Sequence, residues 1–264
     1  MNPETPPPDG DSPATLPDTG RHNHPHEPPV PSGQEFAGYV VEAVAGRGGM
    51  GTVYRAWESE LDRPVALKVM APALNESTRY RAMFEEEARR AAGLEHPNVL
   101  PVYRAGQYNG QLYLSMRFVD GLDLHRLVAA RGRLSLGAVI TIVGAVADAL
   151  DAAHARGVVH RDVKPSNVLI AGTGADEHVY LADFGLAASL GSENQIIPSG
   201  GTPGFGAPEQ MHGGSVGTPA DVYGLARVTF FALTGRLPEA GPLPRVAELV
   251  PALAGCEVDA VLQR

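Results

Sequence analysis

Residues 160–170 read HRDVKPSNVLI. His160, Arg161, Asp162, Lys164 and Asn167 fall within eight positions, and an apolar run follows at once. Charge packed so tightly against a strand-like run is costly unless something nearby needs it. A second stretch, AGRGGMGTV, sets Gly46, Gly48, Gly51 and Val53 in the order G-x-G-x-x-G-x-V. Glycine lets a backbone lie close over phosphates, because no Cβ intrudes. On their own these glycines also suit a plain hairpin turn, or a dinucleotide-binding turn if a helix follows directly. TVYRAWE follows instead, β-branched and aromatic. The context is therefore strand–loop–strand, which points to a flap over ATP.

Lys68 lies in VALK, in the middle of an apolar strand, where an ammonium needs an anion. The next segment, STRYRAMFEEEARRAAGL, has helical spacing at Met83, Phe84, Glu87, Ala91 and Leu94, with Ser77 as N-cap. That spacing turns Glu87 inward and leaves Glu85 and Glu86 on the solvated face. A Lys68–Glu87 pair is the expectation.

The elements that must hold these residues divide the chain. Residues 1–35 are rich in Pro, Asp, Gly and Thr and too poor in apolar side chains to offset chain entropy, which predicts a disordered tail. His22, His24 and His26 in that tail read as solvated rather than metal-binding. Residues 36–120 alternate in the manner of strands, with one helix. From Gly121 the pattern turns helical, at about 123–130, 135–156 and 219–235. A β-rich first lobe and an α-rich second lobe, 121–264, make an α+β arrangement with a cleft between them. The 264 residues suffice for a sizeable core, and a net charge of −9 argues against a general nucleic-acid binder. Cys256 is the single cysteine, so no internal disulfide can form, and it reads as a small hydrophobe. VITIVGAVADAL at 139–150 is interrupted by Asp148 and short for a membrane span, so it reads as a core helix. No secretory leader is visible, and the expected location is the cytoplasm.

Together with DFG at 183–185 and APE at 207–209, these motifs come in an order that resembles the eukaryotic-like Ser/Thr protein kinases of bacteria. The resemblance runs from about Tyr39 to the end and implies a bilobal kinase-like fold. It also implies roles. Asp162 would accept the proton of a substrate hydroxyl, Lys164 would neutralise the transferring phosphate, and Lys68 would hold the α- and β-phosphates. Asn167 and Asp183 would hold Mg²⁺ or Mn²⁺. Thr202 resembles the threonine that bonds the catalytic Asp and Lys. Ala45, Val53, Ala66, Met116, Leu169 and Ala182 would line the adenine site. The Arg117 carbonyl and the Val119 N–H would bond the base. Arg117 stands where the family often has Glu, a departure expected to matter little. Asp221 resembles the residue that accepts hydrogen bonds from the HRD backbone.

The resemblance implies ATP, protein substrates bearing Ser or Thr, autophosphorylation and a homodimer for that step. Ser189, Ser192 and Ser199 are candidate phosphorylation sites that Arg161 could bind. Glu209 would pair in the family with an Arg beyond a segment like VDAVLQR, which here ends the sequence. This predicts an incomplete second lobe and a buried carboxylate lacking its partner. A non-catalytic scaffold of the same fold and a small-molecule phosphotransferase are the alternatives.

Overall fold

The computed structural model describes residues 30–75, 77–172, 174–184, 204–211 and 215–262. Thr202, the three candidate serines, the tail histidines and Arg264 lie outside them. The described chain reaches back to Val30, which is buried and donates its N–H to the Tyr54 hydroxyl at 3.2 Å. Folded structure therefore begins earlier than Phe36.

Strand alternation builds the first lobe. Strands β1 (Glu35–Phe36), β2 (Tyr39–Gly48), β3 (Gly51–Glu58), β4 (Arg63–Met70), β5 (Val102–Tyr108) and β6 (Gln111–Arg117) form one antiparallel sheet, in the order β1-β2-β3-β4-β6-β5. In β4 the side chains of Val65, Leu67 and Val69 join an outer core with Tyr39, Tyr54 and Tyr113. Ala66 and Met70 point the other way, into a core shared with Phe84 and Met116. Lys68 has their phase, so the period of two aims its ammonium at the inner face. The short helix α1 (Pro72–Asn75) leads into α2 (Thr78–Ala92), which buries Tyr80, Phe84, Ala88 and Ala91. Ser77 caps α2, its hydroxyl accepting from Tyr80 N–H at 3.2 Å.

The second lobe carries α3 (Leu124–Arg131), α4 (Leu136–His154), α5 (Pro208–Met211), α6 (Thr218–Thr234), α7 (Val246–Leu249) and α8 (Val258–Leu262). Its small antiparallel sheet of β7 (Gly121–Asp123), β8 (Val168–Ala171) and β9 (His178–Leu181) is the part the sequence pattern showed least. With 19 residues, α4 is long and apolar enough to cross a membrane, contrary to the shorter reading. It packs Val139, Ile142, Val146, Ala149 and Leu150 into the lobe's core against α6. Cys256 is exposed rather than buried.

Residues 96–100 bridge the lobes along β9. Leu100 N–H donates to the Leu181 carbonyl at 2.9 Å, and Leu181 N–H to the Asn98 carbonyl at 2.7 Å. The Asn98 amide reaches the Val179 carbonyl at 2.9 Å.

Candidate active site

A 3₁₀ turn at Pro165–Asn167 follows Lys164 and leads into β8, so the apolar VLI is the anchor that carries the charged loop before it. Within that loop the Asp162 carboxylate meets Lys164 Nζ at 2.7 Å and Asn167 Nδ2 at 3.2 Å. Asn167 Nδ2 also donates to the Asp162 carbonyl at 2.8 Å. The Asp162 carboxylate thus gathers the Lys164 ammonium and the Asn167 amide around it.

The loop backbone is held from below by Asp221, fully buried near the start of α6. Its Oδ2 accepts from His160 N–H at 2.8 Å and its Oδ1 from Arg161 N–H at 2.7 Å. His154 Nε2 lies 2.7 Å from the same Oδ2. Gly224, one turn along α6, permits this approach: a Cβ there would stand 2.9 Å from the Val163 carbonyl oxygen. His160 is also fully buried, with Nε2 2.8 Å from the Ala182 carbonyl and Nδ1 accepting from Asp162 N–H at 3.2 Å. Those partners require a neutral imidazole with its proton on Nε2. Burial pushes its pKa down, against the opposing pull of Asp221.

From the first lobe Lys68 reaches across, its Nζ 2.8 Å from Asp183 Oδ2. Burial works to raise the Asp183 carboxyl, but the charge and hydrogen bond of Lys68, with His160 and Lys164 adding, hold it below the usual carboxylate range. The ion pair described for Lys68 is thus with Asp183. Glu87 is half-buried on α2, close enough to Tyr80 to help burial push that hydroxyl's pKa up. Asp183 adopts a left-handed φ of 66° directly after β9, which turns its carboxylate toward β4.

The glycine-rich segment is the β2–β3 hairpin, with Gly46 opposite Val53 and Gly48 opposite Gly51. Gly51 has φ 148°, and a Cβ there would lie 2.1 Å from the Val69 carbonyl oxygen, so only glycine fits against β4. Ala66, Met116 and Ala182 are buried in one apolar cluster, against which Val53, Val119 and Leu169 pack. Ala45 is exposed and outside that cluster, at a register slip between Val44 and Gly46 that breaks the alternation of β2.

Arg117 departs from expectation. Its Nη1 donates to the Tyr180 hydroxyl at 2.7 Å, and hydrogen bonds to Tyr103 and Tyr180 raise its pKa further. Arg63 lies over the Tyr103 ring at 3.8 Å and pairs with Glu58 at 2.6 Å. A ladder of arginines and tyrosines therefore ties the end of β6 to β5 in its own lobe and to β9 in the other. The sequence pattern carried no sign of it, because its members are far apart in the chain.

Two further residues were missed. Gln210 on α5 donates from Nε2 to the Arg161 carbonyl at 2.6 Å and accepts from Ala207 N–H at 2.9 Å. Arg227, 2% exposed, donates to the carbonyls of Gly204, Glu239 and Gly241 and to the Tyr223 hydroxyl. Glu209 is only half-buried, so the expected cost of a buried, unpaired carboxylate does not arise.

The donor set suits a nucleotide with a divalent cation. Asp183 and Asn167 offer hard oxygen atoms, and the apolar cluster suits a purine.

Comparison with known proteins agrees in both sequence and structure. The profile of the protein kinase domain matches residues 39–243. The serine/threonine-protein kinase PknJ of Mycobacterium bovis is 40% identical over 250 residues, covering 88% of this chain and 42% of that protein. PknE of Mycobacterium tuberculosis is 39% identical over 211 residues, covering 79% of this chain and 37% of that protein. The chain thus spans about two fifths of the length of the curated relatives it matches. The crystal structure of the Mycobacterium tuberculosis PknI kinase domain superposes with a TM-score of 0.73 at 38% identity, covering 89% of this chain and 90% of that one. With its two lobes, its glycine hairpin and its HRD and DFG segments, this chain belongs to the protein kinase domain family.

Proposed function

We propose that this chain is an ATP-dependent Ser/Thr protein kinase that acts in bacterial signalling from the cytoplasm and phosphorylates itself as well as other proteins. The observation that carries the reading is the contact set Asp162–Lys164–Asn167 in the second lobe, together with Lys68, which reaches from the first lobe to Asp183. The acceptor is a Ser or Thr hydroxyl. Its oxygen forms a bond to the γ-phosphorus, the bond from that phosphorus to the β–γ bridging oxygen breaks, and ADP leaves.

Asp162 orients the hydroxyl and takes its proton. Lys164 lies against the transferring group from the acceptor side, and Lys68 holds the α- and β-phosphates. Asn167 and Asp183 would hold Mg²⁺ or Mn²⁺, which would supply positive charge to the phosphate oxygens. The Arg117 carbonyl and Val119 N–H bond the adenine, which rests on Leu169 beneath Val53 and Ala66. Thr202 would complete the acceptor side. Lys two residues after the catalytic Asp favours Ser and Thr over Tyr as acceptors. A protein acceptor also fits α5, which begins at the APE segment beside the loop.

The test is autophosphorylation with γ-labelled ATP and Mg²⁺, compared between the wild type and Asp162→Asn. The variant should lose at least about a hundredfold in rate, the scale of a positioned general base. Equal labelling of the two proteins would defeat this assignment.

A further inference from the structure

Arg161 holds φ 66°, a left-handed conformation that a non-glycine residue keeps only when its surroundings impose it. Both of its backbone polar groups are gripped. Asp221 takes the N–H at 2.7 Å, and Gln210 Nε2 gives a hydrogen bond to the carbonyl at 2.6 Å. That carbonyl belongs to the peptide bond leading into Asp162, so whatever fixes it fixes the plane from which the catalytic carboxylate departs.

The second arm of Gln210 has a different task. Its Oε1 accepts from Ala207 N–H at 2.9 Å, and its own N–H donates to the Ala207 carbonyl at 3.0 Å. This is one half of a capping box, the Gln210 side chain at N3 reaching back to the N–H of Ala207 at N-cap, with Pro208 at N1. Its two partners settle the orientation of the amide: an N–H faces the oxygen, and a carbonyl faces the NH₂. A Glu would serve the cap equally well. Only the amide serves the Arg161 carbonyl, because a carboxylate has no proton to donate there.

We propose that Gln210 is a positioning residue that ties the acceptor-side helix α5 to the catalytic loop, and that it sets Asp162 through the Arg161 carbonyl. The proposal rests on Asp162 being the catalytic base. Asp221 secures one side of the strained residue and Gln210 the other, so the acceptor platform and the base move as a unit.

Gln210→Glu and Gln210→Leu in the full chain separate the tie from the cap. Each would be measured for the rate of autophosphorylation at saturating Mg-ATP, the KM for ATP and the melting temperature. Gln210→Glu keeps the cap, so melting and the KM for ATP should match the wild type while the maximal rate falls about tenfold. Gln210→Leu should lose the rate to a similar degree and some melting temperature as well. A Gln210→Glu protein with wild-type rate, or one whose rate falls only in step with its melting temperature, overturns the proposal. Activity surviving in Asp162→Asn would instead remove Asp162 as the base, and absence of labelling in the wild type would sink the kinase assignment, so the failures are told apart by which protein is labelled.

Discussion

At the scale of single residues, the side chains outside the expected set are as informative as those within it. Arg227 is a buried cation whose described partners are three carbonyls and a hydroxyl. A guanidinium spreads its charge over five N–H donors in a fixed plane, so several oxygen dipoles around it can replace a single anion. Through it, α6 holds Gly204, near the end of the DFG–APE interval, together with residues 239–241. Arg227→Met fills the volume but strands those acceptors. It should destabilise the chain by roughly 3 kcal/mol, seen as a lower urea midpoint with an unchanged slope. A stability within about 0.5 kcal/mol of wild type would show that the acceptors find other partners.

At the scale of elements, the lobes meet along β9 and at the end of β6, and the arginine–tyrosine ladder joins those two edges. The expectation was that Arg at position 117 would matter little, since backbone groups bond the adenine. Its side chain bonds Tyr180 of β9, which gives a direct test of that expectation. Tyr180→Phe removes one hydroxyl at 2.7 Å and nothing else. A charge-assisted hydrogen bond contributes roughly 1.5 kcal/mol, and partial exposure reduces this, so the KM for ATP should rise about threefold with the maximal rate unchanged. Steady-state kinetics in ATP checks this, and a fall in rate at constant KM would contradict it.

At the scale of the whole molecule, buried His160 and partly buried Asp183 shape how stability responds to acid. The folded state keeps His160 neutral, because burial lowers its pKa. Between that lowered value and the ordinary imidazole value near ~6.5, the unfolded chain binds a proton that the folded chain does not. This contribution is complete above about pH 6.5 and is lost as pH falls below it. Asp183, also lowered, adds stability that is lost only further down, below the ordinary carboxylate range near ~4. Denaturation at about pH 7.5 and 5.5 should show a drop of at most ~1.4 kcal/mol per pH unit from His160, and a shallower drop in His160→Gln. Equal slopes would remove His160 from the account.

The part of the protein legible in its sequence is the part set by local pattern. The apolar run around Lys68 marked a strand whose ammonium needs an anion, helical spacing with Ser77 marked α2, and the glycine order marked the β2–β3 hairpin. The contiguous run from His160 to Ile170 showed its charged loop and its anchoring strand together. The sequence alone also offered Glu87 as the anion for Lys68, because it weighs neighbours by helical phase. Only the tertiary structure showed Asp183 beside Lys68, a carboxylate brought from 115 positions away. The same holds for the Gln210 tie, the Arg117 ladder and the Arg227 cluster. Each satisfies a buried or strained polar group, and such a group takes whichever donor or acceptor the packing brings near, whatever its distance along the chain.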